Sequence, residues 1–240
     1  MPQPLETWQV LPHGQLSLLE ENLLTVVGEL KMPLGGFPRR MTVARLRDGR
    51  LVIYSAIALD EPEMAALERF GVPAFLVVPS DRHRMDAKIW KDRYPRLLVL
   101  APEGALEKVN EVVRVDATAF DFRDSTVRLL TVPGTDGHEA ALIVSGPQGL
   151  TLVVNELIWN VGNRPGLGGW LMKVAGFTGP EPQIPPITGL LGIKDKPALR
   201  DQLEAWSKLY GLQRIIVSHG DMIENQPARV LSDLANQLAA

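Results

Sequence analysis

Strand-like apolar runs alternate with helical patterns through the first half of the chain, and this alternation constrains the fold more than any other feature. NLLTVVGEL (22–30) reads as a strand and MPLGGFP (32–38) as a loop. MTVARL (41–46) and RLVIYSAI (50–57) flank Asp48-Gly49, which predicts a hairpin. Asp60 caps a helix with Pro62 in its first turn, Met64, Leu67 and Phe70 at helical spacing, and Gly71 to end it. AFLVV (74–78), DAKIWKDRY (86–94) and RLLVLA (96–101) then read strand, helix, strand. Alternation of this kind implies parallel pairing through βαβ crossovers.

The second half starts as strands: STVRLLTVP (125–133), HEAALIVSG (138–146) and LTLVVNEL (150–157), separated by Gly and Pro. A Gly/Pro-rich segment from about 160 to 197 follows, and such long loops in compact domains are functional or mobile elements. Within it, LGGWLMKVAGF (167–177) has an apolar face that would pack in the core, over a site, or against a second subunit. ALRDQLEAWSKLYG (198–211) reads as an amphipathic helix, RIIVSHGD (214–221) as a strand with its exit loop, and ARVLSDLANQLAA (228–240) as a closing helix. The 240 residues are read as one domain, 1–240.

Composition removes several classes of function. With no cysteine the chain has no disulfide, thiolate nucleophile or cysteine-type zinc site. A net charge of −3 and a pI near 5.9 argue against a nucleic-acid partner, whose footprint would be basic. No apolar run reaches the ~18 residues of a membrane span, and the N-terminal MPQPLETWQV has no signal-peptide pattern. No membrane partner and a cytoplasmic location are therefore expected.

The candidate chemistry lies where strands end. AFLVV exits into SDRHRMD (80–86), which sets His83 among Asp81, Arg82, Arg84 and Asp86. His219 follows the strand RIIVS, and His138 follows the loop PGTDG at a strand edge; His13 lies in the irregular N-terminus. Ligand sites in open α/β sheets collect at the carboxyl ends of strands, so three such histidines suit a metal or acid–base site. Alternatively each is a capping or surface histidine. GNRPGLGGW follows no nucleotide-type turn, and neither Ser55 nor Ser218 sits in a G-x-S-x-G elbow.

Taken in order, these segments resemble the metallo-β-lactamase fold superfamily, from about residue 22 to 225. The closest resemblance is to a divergent branch with Arg40-Met41, Asp48-Gly49, Ser55, Trp90 and Tyr94-Pro95 at corresponding places. The resemblance implies a four-layer α/β/β/α sandwich with metals at one edge, between the sheets. It aligns Asp81, His83 and Arg84 with positions of the His-x-His-x-Asp-His loop, His138 with the histidine of a Pro-Gly-His turn, and His219 with the last histidine. Asn155 falls where a bridging aspartate is expected, and an amide cannot supply that anionic bridge.

The ligand set implied is His83, His138 and His219, with Asp81, Asp86 and Asn155 as further candidates. Zinc or another divalent metal is expected, at most one per chain or none, because an intact dinuclear site needs ligands this chain lacks. Arg82, Arg84 and Asp221 are the candidate substrate contacts. The function implied is a metal-dependent hydrolase of a small ester, amide, thioester or phosphoester. The alternative is a non-catalytic protein that has lost its metal and binds a small anion between arginines. A small-molecule ligand, anionic in that second case, and a homodimer are compatible with either.

Overall fold

The computed structural model describes residues 3–32, 35–163, 165–186 and 188–239. Its first sheet has the order β1 (Ser17–Glu20), β2 (Leu23–Met32), β3 (Gly35–Arg45), β4 (Arg50–Tyr54), β5 (Val72–Val77), β6 (Leu98–Leu100). The second sheet begins with β7 (Val127–Thr131), β8 (Ala140–Gly146) and β9 (Gly149–Val154), and β10 (Leu212–Val217) joins on the far side of β9. β4, β5 and β6 run parallel, joined by α1 (Glu61–Phe70) and α2 (Ala87–Arg93). β10 lies parallel to β9 after a crossover containing α4 (Gly166–Val174) and α5 (Lys196–Ser207). α3 (Leu106–Asn110) follows β6, and α6 (Pro227–Ala239) closes the chain.

Strand periodicity sorts the apolar side chains into three layers. On β4, Leu51 and Ile53 face outward to Met64 and Leu67 of α1 and Ile89 and Trp90 of α2. Val52 and Tyr54 face inward and share an inter-sheet core with Phe75, Leu142 and Val153. On β9, Leu152 and Val154 point the other way, to Leu199, Leu203 and Trp206 of α5 and Leu231 and Leu234 of α6. Both faces of each sheet are covered, which is the expected α/β/β/α sandwich. It also explains why the central strands read as unbroken apolar runs.

Local signals set the element ends. The Asp60 carboxylate accepts from Glu63 N at 3.0 Å and Asp195 accepts from Ala198 N at 3.0 Å, so α1 and α5 both start on a side-chain cap followed by proline. At the β3–β4 turn Gly49 has φ +86°, a conformation that costs glycine little.

Two expectations change. Most of MPLGGFP is strand: Phe37 and Pro38 pair with Leu30 and Glu29, and residues 33 and 34 lie outside the described residues. Pro38 costs the ladder no bond, because the Glu29 amide donates instead to Pro12 O at 2.8 Å. The segment 160–197 is not structureless, since it contains α4 and a helical turn over Thr188–Gly192. Glycine and proline outnumbered the helix formers there and masked both.

Candidate metal centre

The carboxyl ends of β4, β5, β9 and β10 meet at one edge of the sandwich, where the two sheets bring their parallel strands together. Each end contributes a residue: Ser55 follows β4, the loop 79–86 follows β5, Asn155 and Glu156 follow β9, and Ser218 and His219 follow β10.

His83, Glu156 and His219 converge there and form the metal-capable group found among the described residues. Glu156 Oε1 lies 2.9 Å from His83 Nε2 and 3.2 Å from His219 Nε2, and the two Nε2 atoms are 3.3 Å apart. All three residues are nearly or fully buried. Phe37 and Trp159 pack on the His219 ring at 4.8 and 4.9 Å between centroids, which lowers the local dielectric.

The outer nitrogens decide what the inner ones are. His219 Nδ1 is 2.8 Å from Pro38 O, and a carbonyl only accepts, so Nδ1 carries the hydrogen. In the neutral ring Nε2 is then a lone pair aimed at a carboxylate oxygen. His83 Nδ1 is held by Ser55 Oγ at 2.7 Å, which turns its Nε2 to the same point. Without an ion, an imidazole N–H fills the gap to Glu156 Oε1, which the Ser55 hydroxyl permits at His83 by donating to Nδ1; with an ion among them, all three atoms act as lone-pair donors. Their spacings of 2.9 to 3.3 Å approach the roughly 3.3 Å edge of a tetrahedron around an ion with ~2.0–2.1 Å ligand bonds. The donor set therefore fits a divalent ion, with the outward hydrogen bonds that ligand histidines require.

Electrostatics agree with the geometry. Burial would raise the Glu156 carboxyl, but the charge and hydrogen bonds of His219 and His83 outweigh it and hold it well below the usual carboxylate range. Burial pushes the His83 imidazole down, only partly offset by Glu156, so the neutral form suited to ligation is favoured. Behind Glu156, burial and then the Glu156 charge push the Glu139 carboxyl well above the usual range, and its Oε2 accepts from Glu156 N at 3.3 Å.

The supports of the two histidines trace to particular residues. Ser55 has φ +58°, which is strained for a non-glycine residue. On β3, Arg39 pairs with buried Asp86, and Asp86 also accepts from Ala58 N at 2.9 Å, fixing the base of the His83 loop. Its neighbour Arg40 faces the other sheet and donates to Val217 O at 3.2 Å and Gly220 O at 2.8 Å, on either side of His219. Pro38, Arg39 and Arg40 thus template both histidines.

The structure separates the other candidate residues from this group. Asp86 is occupied by Arg39 and Ala58. Asn155 is fully buried and donates to Ser80 Oγ at 2.9 Å while accepting from Ser218 Oγ at 2.8 Å, so it ties the two histidine loops together. An amide suits that post because it offers a donor at one end and an acceptor at the other. His138 and Asp81 line a neighbouring polar cavity of about 270 Å³ with Arg82, Glu139, Glu156 and Lys194. Arg84 turns away to Lys108 O and Glu111. Asp221 is exposed, and its backbone bonds Asn160.

Glu156, one residue beyond Asn155, was missed because strand alternation stops at Val154, where counting along β9 no longer reports direction. The neighbouring acid in V-V-N-E was the signal available. Above the group lies a cavity of about 170 Å³ walled by Leu30, Phe37, Met85, Trp159 and Phe177, with Arg82 at its polar side. The segment 160–197 therefore borders the site through Phe177, which stacks on Trp159 at 5.7 Å.

No protein-family model and no curated protein matches the sequence. Solved structures do match over nearly the whole chain. The metallo-β-lactamase FIM-1 from Pseudomonas aeruginosa in its mono-zinc form is 13% identical with TM-score 0.63, covering 95% of this chain and 96% of that one. VMB-1 is 11% identical with TM-score 0.64, covering 97% and 100%. The metallo-β-lactamase from Hirschia baltica is 11% identical with TM-score 0.60, covering 93% and 98%. The chain thus has the metallo-β-lactamase fold, as a divergent example with two histidines and a glutamate gathered at the edge of its sheets.

Proposed function

We propose that the chain is a metal-dependent hydrolase of a small ester, amide, thioester or phosphoester, holding one divalent ion through His83, Glu156 and His219. The observation that carries this reading is the convergence of three donor atoms within 3.3 Å, with His219 locked in the tautomer that turns a lone pair inward. His83, Glu156 and His219 would hold a divalent ion, which would supply Lewis acidity toward a carbonyl or phosphoryl oxygen and lower the pKa of water. Glu156 neutralises part of the ion's charge, while Ser55 and Pro38 hold the imidazoles in register. Phe37, Trp159 and Phe177 exclude bulk water from one side and offer an apolar wall to the substrate. Arg82 lines both cavities, which supports a role for it in meeting an anionic group of the ligand.

A second reading, a non-catalytic protein that binds a small anion, is favoured by one observation. The Arg82 guanidinium and the Lys194 ammonium both line the polar cavity, and neither forms an ion pair or side-chain hydrogen bond among the described residues. Metal analysis of chain purified without added ions, followed by a panel of chromogenic esters, thioesters and phosphodiesters before and after chelation, separates the two. Chelator-sensitive turnover supports the hydrolase. Metal-free protein that binds anions, and stays inactive after zinc is added, supports the second reading.

A further inference from the structure

α4 is built inside out. Leu167, Trp170, Leu171 and Val174 fall at i, i+3, i+4 and i+7, the spacing of one helix face, and are 74%, 57%, 39% and 66% exposed. The inward side is made by Gly169 and Met172, both buried. A helix that only filled space would turn its tryptophan and leucines inward. Here a small inward residue seats the helix against the protein, and the bulky apolar residues are left facing solvent.

Charge and area indicate what covers this face. Asp and Glu supply 28 of the 240 residues, yet none occurs from 157 to 180, and Lys173 is exposed on α4 itself. An acid-free stretch that carries an exposed lysine, in a chain that is acidic as a whole, complements a negatively charged partner. Taking each side chain as roughly 150–250 Å², the exposures amount to an apolar patch of about 450 Å². Two copies meeting through this face would bury about 900 Å² in all, short of the ~1,200 Å² of a stable interface, and would bring like charges together. A bilayer needs no matching surface. Tryptophan favours the headgroup level, leucine and valine the acyl boundary, and lysine reaches back to the phosphates.

We propose that α4 docks the protein on the surface of an anionic lipid bilayer, with Trp170 and its apolar neighbours inserted at the headgroup boundary. No helix among the described residues is long and apolar enough to cross a membrane, so the contact proposed is peripheral; it departs from the expectation of no membrane partner, which rested on the lack of a spanning run. The inference is independent of the metal and of any hydrolytic activity.

Flotation of the full chain with phosphatidylcholine vesicles, with and without phosphatidylglycerol, tests it. Wild type should float with the anionic vesicles, less with neutral ones and less again at high salt. The variant Trp170→Ser/Val174→Ser should bind at least ~10-fold more weakly, since it loses two inserted apolar side chains. Its thermal midpoint should be unchanged, because both residues are exposed. Leu167→Gln, at the most exposed apolar residue of the stripe, provides a second variant should the first misfold, and should also bind more weakly. Wild type left in the soluble fraction would overturn the proposal, as would variants that float equally well. So would a lipid-free dimer that Trp170→Ser/Val174→Ser converts to monomer, because that assigns the face to a second copy.

Discussion

Ser55 occupies two roles that substitution can separate. Its backbone is held at φ +58°, and its Oγ lies 2.7 Å from His83 Nδ1 at a buried position. Left-handed geometry costs a residue with a Cβ about 1–2 kcal/mol, and a buried hydrogen bond is worth about 0.5–1.5 kcal/mol. Ser55→Ala keeps the strain and loses the bond, so stability should fall by about 1 kcal/mol. Ser55→Gly loses the same bond but relieves the strain, and should unfold within about 1 kcal/mol of wild type. Both should weaken zinc equally, by ~10–100-fold, because an outer hydrogen bond that orients a ligand histidine carries that much affinity. Urea unfolding of the metal-free proteins and competitive zinc titration give the two quantities separately. Unchanged zinc affinity in both variants would refute the orienting role. A Gly variant no more stable than the Ala variant would refute the strain.

The remaining predictions concern the surroundings. Glu139 holds its proton in the folded state above the ordinary carboxyl pKa, so the folded chain binds more protons than the unfolded one and stability falls as pH rises through that window. Glu139→Gln should remove a slope of up to about 1.4 kcal/mol per pH unit from pH-dependent urea unfolding above the ordinary carboxyl pKa. Glu156 is shifted the other way, and its contribution is lost only as pH falls through its depressed value, so the two windows do not overlap. Arg40→Met leaves Val217 O and Gly220 O without their donor and should cost about 2–4 kcal/mol in urea unfolding, with weaker zinc binding as the His219 turn loosens. Leu199→Ala, in the core under α5, should cost about 2–5 kcal/mol and leave zinc affinity unchanged.

The fold was legible because its signals repeat along the chain. Alternating strands and helices required parallel pairs, and runs such as RLVIYSAI and LTLVVNEL were apolar on both faces, as a strand covered on both sides must be. The Asp60 cap has side-chain chemistry that a sequence shows directly, and Asp195 before Pro197 carries the same signal, which the reading of the helix from Ala198 passed over. The site was legible only in part. His83 and His219 follow strands, and both reach the centre. His138 follows a strand-edge loop of the same character but lines the neighbouring cavity, since a loop's sequence does not give the direction it takes. Asp86 looked like a ligand because its partner Arg39 lies 47 residues away on another strand, and no local pattern reports such a pair. The exchange of roles between Asn155 and Glu156 turned on a single residue of register at a strand end.

The central claim is that His83, Glu156 and His219 hold one ion without His138. Zinc stoichiometry after dialysis tests it most directly, measured on wild type, Glu156→Gln, His219→Ala and His138→Ala. The account predicts at most one equivalent in wild type after loading, none retained by Glu156→Gln or His219→Ala, and wild-type occupancy in His138→Ala. Two equivalents surviving dialysis, or loss of zinc from His138→Ala with full retention in Glu156→Gln, would contradict it.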